Sequence, residues 1–184
     1  MVPDSNVRSY GTDEAPAEFL PVRLGPLSFL YSAAWARRIG WHEIELVRAV
    51  CWPIRDENWG TYAPDILKER HEIAGGTFQA NLVFSVANGR LECALAIRAT
   101  DMGDLRFDIT MRPVDSSFAT NRAGLTVLHP IKGIAGQALD VTHGDGQTER
   151  TSFPLLISPG QPVFDIQRLA YGRDGFAAEI EFSG

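Results

Sequence analysis

Apolar and polar residues alternate with a period of two along most of the chain, the repeat of strands whose successive side chains point to opposite faces of a sheet. The first clear stretch, 19–24, stops at Gly25-Pro26, and 27–31 resumes after that turn, so a pair of short strands is expected there. A third is expected over 35–41. Residues 43–50 mix charged and apolar positions and are read as a strand even though they are good helix formers. Four further strands follow at 66–73, 78–86, 91–99 and 105–114, separated by Ala74-Gly75-Gly76, Asn88-Gly89 and Asp101-Met102-Gly103-Asp104. Asn88-Gly89 is the strongest hairpin signal, because both residues tolerate the positive φ of a type I′ turn. The second half continues with 124–129, 138–143, 148–153, 161–171 and 176–182, punctuated by Gly144-Asp145-Gly146 and Gly172-Arg173-Asp174-Gly175.

Consecutive hairpins at this spacing predict an all-β fold, an antiparallel β-sandwich of about a dozen strands with little helix. The best helical candidate, 32–39, is short and lacks a C-terminal cap. Residues 1–19, with Pro3, Gly11 and Pro16 and little periodicity, are expected to form an extended arm, and 20–184 the sandwich domain. The last alternating segment meets Ser183-Gly184 without a polar tail, which reads as a domain truncated at its C-terminal end.

A length of 184 residues suits one domain, and 45% hydrophobic with 22% charged residues is the make-up of one soluble globular core. No apolar run approaches the ~18–20 residues that span a bilayer, and residues 1–6 lack the build of a signal peptide, so no membrane partner and a cytoplasmic location are expected. A net charge of −6 leaves no excess of cations to track phosphates, so nucleic acid is not expected as a partner. Cys51 and Cys93 have no metal-type spacing and sit in apolar segments, which predicts buried free thiols. No metal or cofactor is expected.

Candidate chemistry concentrates in two places. Between Asn121 and Asp165, His129 and His143 end two strand segments, and convergence of both with Asp145 at one rim would suit metal binding or acid/base work, with Glu149 as a further carboxylate. The plainer reading is that strand-end histidines are hydrogen-bonded structural residues and that Asp145, between glycines, only makes a turn. The second place is Arg55-Asp56-Glu57-Asn58-Trp59, a guanidinium, carboxylates, an amide and an aromatic in close succession, the mix with which proteins bond sugar hydroxyls and stack on sugar C–H faces. The same residues equally describe a loop stapled by a buried Trp59, with Arg55 and Asp56 paired. Trp35, Trp41 and Trp52 are expected in the core or at an interface. There is no Gly-x-Ser-x-Gly elbow, phosphate loop or dinucleotide fingerprint.

Several linked stretches are distinctive. Asn121-Arg122-Ala123-Gly124-Leu125-Thr126-Val127-Leu128-His129-Pro130, then Val141-Thr142-His143-Gly144-Asp145-Gly146, then Phe153-Pro154-Leu155-Leu156-Ile157-Ser158-Pro159-Gly160-Gln161-Pro162, together resemble the N-terminal region of the D-apionate lactonases. The earlier run from Val47-Arg48 through Pro53-Ile54-Arg55-Asp56-Glu57-Asn58-Trp59-Gly60-Thr61 resembles a segment of the same family. The resemblance implies a bacterial catabolic enzyme that hydrolyses the internal ester of a branched-chain sugar lactone, D-apionolactone. It also implies a downstream catalytic domain, because members of the family are much longer.

On that reading the chain is a module that supports catalysis, with a sugar or sugar lactone as ligand. Arg55, Asp56, Asn58, Trp59, Asn121 and Arg122 are then the expected substrate contacts, and His129, His143 and Asp145 the candidate catalytic groups. Two alternatives stand beside it. A weaker, fold-level likeness to the supersandwich of aldose epimerases implies a mutarotase-type enzyme with a His and a carboxylate meeting in a concave pocket. The other alternative is a stand-alone carbohydrate-binding module.

Overall fold

The alternating segments form strands, and every strand pair between them is antiparallel. The computed structural model describes residues 5–11, 13, 18–157 and 160–183. After a short helix, α1 (Ser5–Tyr10), the strands in chain order are β1 (Leu20–Leu24), β2 (Leu27–Ser32), β3 (Trp35–Trp41), β4 (Ile44–Cys51), β5 (Ile54–Arg55), β6 (Asp65–Ala74), β7 (Thr77–Val86) and β8 (Leu91–Thr100). They continue with β9 (Leu105–Pro113), β10 (Arg122–Ala123), β11 (Thr126–Leu128), β12 (Ala138–His143), β13 (Thr148–Ser152), β14 (Ile166–Arg173) and β15 (Phe176–Glu181).

Two meanders make the main sandwich. β1 to β4 pair in order, with β11 added at the far edge of β4, and β6 to β9 form the facing sheet. Alternation decides what meets between them. Phe78, Ala80, Leu82, Phe84 and Val86 of β7 are buried while the residues at odd positions from Gln79 to Val83 are exposed, and the partner strand β8 buries Leu91, Cys93, Leu95, Ile97 and Ala99 in matching register. Phe78 stands edge-on to Phe29 at 5.3 Å between ring centroids, so aromatic packing bridges the two sheets. At the β7–β8 turn, Asn88 and Gly89 have φ of 58° and 81°, and the Arg90 N–H donates to Ala87 O, as expected of the Asn-Gly hairpin.

β6 is exposed along all its length, and its charges Lys68, Glu69, Arg70 and Glu72 guard that sheet edge against pairing with another chain. Cys51 and Cys93 are buried free thiols. Among the described residues, no helix is long and apolar enough to cross a membrane.

A second, four-stranded sheet in the order β13-β12-β14-β15 has its own small core of Ile134, Leu139, Val141, Val163, Leu169 and Tyr171. It is fastened where β4 is irregular. Ile39 pairs with Val47 but Gly40 pairs with Glu45, so Leu46 is an extra residue in the ladder. The Tyr171 hydroxyl donates to Leu46 O at 3.0 Å, and the Arg173 guanidinium donates to Glu45 O. Backbone acceptors of the bulge are thereby satisfied by the second sheet.

The structure departs from the sequence reading in four places. The expected strand 124–129 is shortened to β11, and the unexpected two-residue strand β10 precedes it, with Gly124 at a φ of 134° between the two. The expected strand 161–171 begins only at Ile166, after Pro162, which has no N–H to donate, and Asp165, held at a φ of 50°. β5 was not anticipated, being two residues long. The N-terminal arm, expected to be extended, contains α1, closed by Gly11 N–H donating to Val7 O; residues 1–4, 12 and 14–17 of that arm lie outside the described residues.

Candidate functional site

Pairing of the short strands β5 and β10, with Arg55 opposite Arg122, brings together two of the segments singled out in the sequence. Arg55 O accepts from Asn121 N–H at 3.0 Å and from the Thr120 hydroxyl at 2.5 Å, which locks the two segments side by side. The loop between β5 and Thr61 is built on Asp56. One carboxylate oxygen, Oδ1, accepts from both Asn58 N–H and Gly60 N–H at 2.8 Å, and Asp56 O accepts from Trp59 N–H at 3.1 Å. A Cβ on Gly60 would lie 2.5 Å from Asp56 Oδ2, so a larger residue there would displace the carboxylate on which the loop is built. Arg55 donates to Trp59 O and to the Thr61 hydroxyl.

Arg55 and Asp56 therefore do not pair with each other; each is spent on the loop backbone. Trp59 is not the staple either. Trp59 is 57% exposed and held at a φ of 68°, and the Arg122 guanidinium stands over its ring at 5.9 Å from the centroid. Asn58 and Asn121 are exposed beside this platform. Thr61 and Thr120, which organise it, were not picked out from the sequence, since a hydroxyl between two loops has no periodic signature.

Arg122 also begins the lining of a groove of about 900 Å³ between the β11 edge and the second sheet. Its walls are formed by residues 122–131 and by 152–157 with 160–164, and Phe182 also lines it. His129 lies in this lining with its ring against Phe153 at 4.9 Å and edge-on to Tyr171 at 5.3 Å. Its Nδ1 is buried with no hydrogen-bond partner among the described residues, and burial pushes its pKa down to about 4. Among the described lining residues there is no carboxylate.

The three candidate catalytic groups are not brought together. Tyr171, against which His129 packs, pairs with Leu139, whereas His143 pairs with Ile166 at the other end of β12. Four residues of strand separate those two positions, about 13 Å at ~3.3 Å per residue. At its own end, His143 Nδ1 contacts Phe164 O at 2.9 Å; a carbonyl only accepts, so that nitrogen carries the proton and Nε2 faces Glu149 at 3.7 Å. Asp145 Oδ1 accepts from Gln147 N–H at 2.9 Å, the bond of a turn residue. Neither His143 nor Glu149 lines the groove, so the His and carboxylate of the epimerase alternative meet on a hairpin and not in the concavity.

A family profile described as the D-apionate lactonase N-terminal domain matches residues 7–184. The chain belongs to that family. It is 36% identical, over 180 residues and 95% of its own length, to the D-apionate lactonase of Brucella anthropi. It spans 29% of the length of that relative. In this D-apionate lactonase N-terminal domain, the runs 121–130 and 153–162, on which the resemblance rests most heavily, supply most of both walls of the groove.

Proposed function

We propose that this domain is a supporting, non-catalytic part of a bacterial sugar-lactone hydrolase that acts in the cytoplasm in carbohydrate catabolism, and that it meets the sugar through the Trp59 platform. The observation that carries the reading is the β5–β10 pair, which sets an exposed Trp59 under Arg122, itself a lining residue of a groove with no carboxylate among its described lining residues.

Opening a lactone needs water activated by a base whose pKa lies near the working pH, and a polarised carbonyl oxygen. His129, with its pKa pushed down to about 4, is a weak base at pH 7, and its Nδ1 has no partner to orient the ring. Recognition is better served. The Trp59 ring offers a face for sugar C–H groups, the Asn58 and Asn121 amides offer donors and acceptors for hydroxyls, and Arg122 suits a lactone carbonyl or the carboxylate of the acid. Arg55 and Asp56 act as positioning residues, since their polar atoms hold the loop.

The test is to assay the 184-residue chain with D-apionolactone by acid release and, separately, to titrate it with the lactone and with D-apionate while following tryptophan fluorescence. The expected result is hydrolysis at the buffer rate, with saturable quenching that Trp59→Ala removes. Turnover by this chain alone, abolished by His129→Ala, would overturn the supporting role; quenching that survives Trp59→Ala would remove the platform.

A further inference from the structure

Around the groove, Ile131, Leu155, Leu156, Ile157 and Phe164 are between 54% and 82% exposed. Apolar side chains scattered singly over a surface are ordinary, but a contiguous apolar concavity of about 900 Å³ marks a surface built to be covered. Charge is nearly absent from the lining. Among the described lining residues, Arg122 is the one that carries a formal charge at neutral pH, and it stands over Trp59. A charge-depleted, largely apolar centre is the anatomy of a lasting interface.

We infer that the groove is the docking seat of the domain that follows this one in a full-length lactonase. The inference rests on the reading above and deepens it by naming the partner surface. More than two thirds of the Brucella anthropi relative lies outside the matched stretch, and the matching profile is that of an N-terminal domain, so the remainder of such a protein lies downstream. Phe182, just after β15, lines the same groove while its N–H is held by Gln167 O at 2.8 Å. A polypeptide continuing from that strand leaves from the groove itself, which keeps the next domain beside it at high effective concentration. Covering the groove also places the downstream domain against the Trp59–Arg122 platform at its rim. The sugar site is then composite, formed where two domains meet, a common location for ligand pockets.

The decisive measurement is amide hydrogen exchange on a full-length lactonase carrying this domain, compared with the 184-residue chain. Amides in 125–131 and 153–157 are expected to exchange at least about tenfold more slowly in the full-length protein. Leu156→Asp, at a side chain 82% exposed, should restore the fast exchange, whereas Met102→Asp, 81% exposed but in the β8–β9 turn, should not. Equal exchange in both proteins would overturn the inference. So would protection already present in the short chain that fades on dilution, which would make the occupant a second copy. Lactone turnover by the short chain would defeat the supporting role without touching the exchange pattern, so the two ideas fail separately.

Discussion

Among the described residues, twenty-one buried apolar residues form the core of the main sandwich, whose two sheets cover each other, whereas six fill the core beneath β12 to β15. The strands alternate in the same way in both places. The difference lies in what faces them. β7 and β8 have β1 to β4 as an opposite layer, and side chains such as Phe78 and Phe84 are 0% and 1% exposed. Among the described residues, the second sheet has no complete opposite layer. Its inner face leans on the β4 bulge, on His129 and Phe153, and on the turn containing Ile134, and where those run out the apolar groove is left open. A sheet must bury one face against something, so the closed half is scaffold and the open half offers the face on which the docking proposed above would take place.

Truncation separates the halves most strongly. Phe84→Ala in the closed core should cost about 3–5 kcal/mol, while Leu156→Ala in the groove should change the stability of the isolated chain by less than ~0.5 kcal/mol. Urea midpoints of the two variants would show it. Similar losses from both would mean that the groove side chains already have a packing partner within this chain.

The second comparison uses pH. His129 has an ordinary value of 6.5 when unfolded and about 4 when folded, so between those values the unfolded chain binds the extra proton. Stability is therefore full above pH 6.5 and falls as pH drops toward 4, by on the order of 3 kcal/mol from this group. Thermal melts of the wild type and His129→Gln across pH 4–7 isolate the contribution, which should be lost in the variant. A wild type and variant with parallel profiles would show that the ring is wetter than its burial between Phe153 and Tyr171 indicates.

Much of the closed half was legible because its strands are long and two-periodic. Phe78 to Val86 announces its inner face residue by residue, and Asn88-Gly89 announces the turn. The open half was harder to read for a physical reason. Leu155-Leu156-Ile157 has the composition of core, and only the missing opposite layer makes it surface. β5 and β10 are too short for any period to register, yet they decide the site by joining Arg55 to Arg122. His129 and His143 looked like partners because both end strands; β12 lies between them, and no pattern along the chain reports on which end of a strand a distant residue lands.

A smaller effect tests the joint between the halves. Tyr171→Phe keeps the ring in the second core but leaves Leu46 O without its donor, and should cost about 1 kcal/mol. If the second sheet is held mainly by this joint, the loss should appear as faster exchange of β12 and β14 amides, with those of β7 and β8 unchanged. A uniform loss across both sheets would mean that they unfold as one unit.

The smallest expected change in stability falls on the Trp59 loop. Asp56→Ala removes the acceptor of two backbone N–H groups on an exposed loop, and should lower global stability by less than about 1 kcal/mol, because the freed donors can turn to water. Its local effect should be larger: Trp59, held at a positive φ, loses the frame that keeps it there, and its fluorescence anisotropy should fall. Asp56→Asn retains Oδ1 as an acceptor and should keep both the anisotropy and the sugar-induced quenching. Quenching lost equally in Asp56→Asn and Asp56→Ala, with the loop still ordered in the former, would mean that the carboxylate touches the sugar itself and belongs to the contact surface rather than to its support.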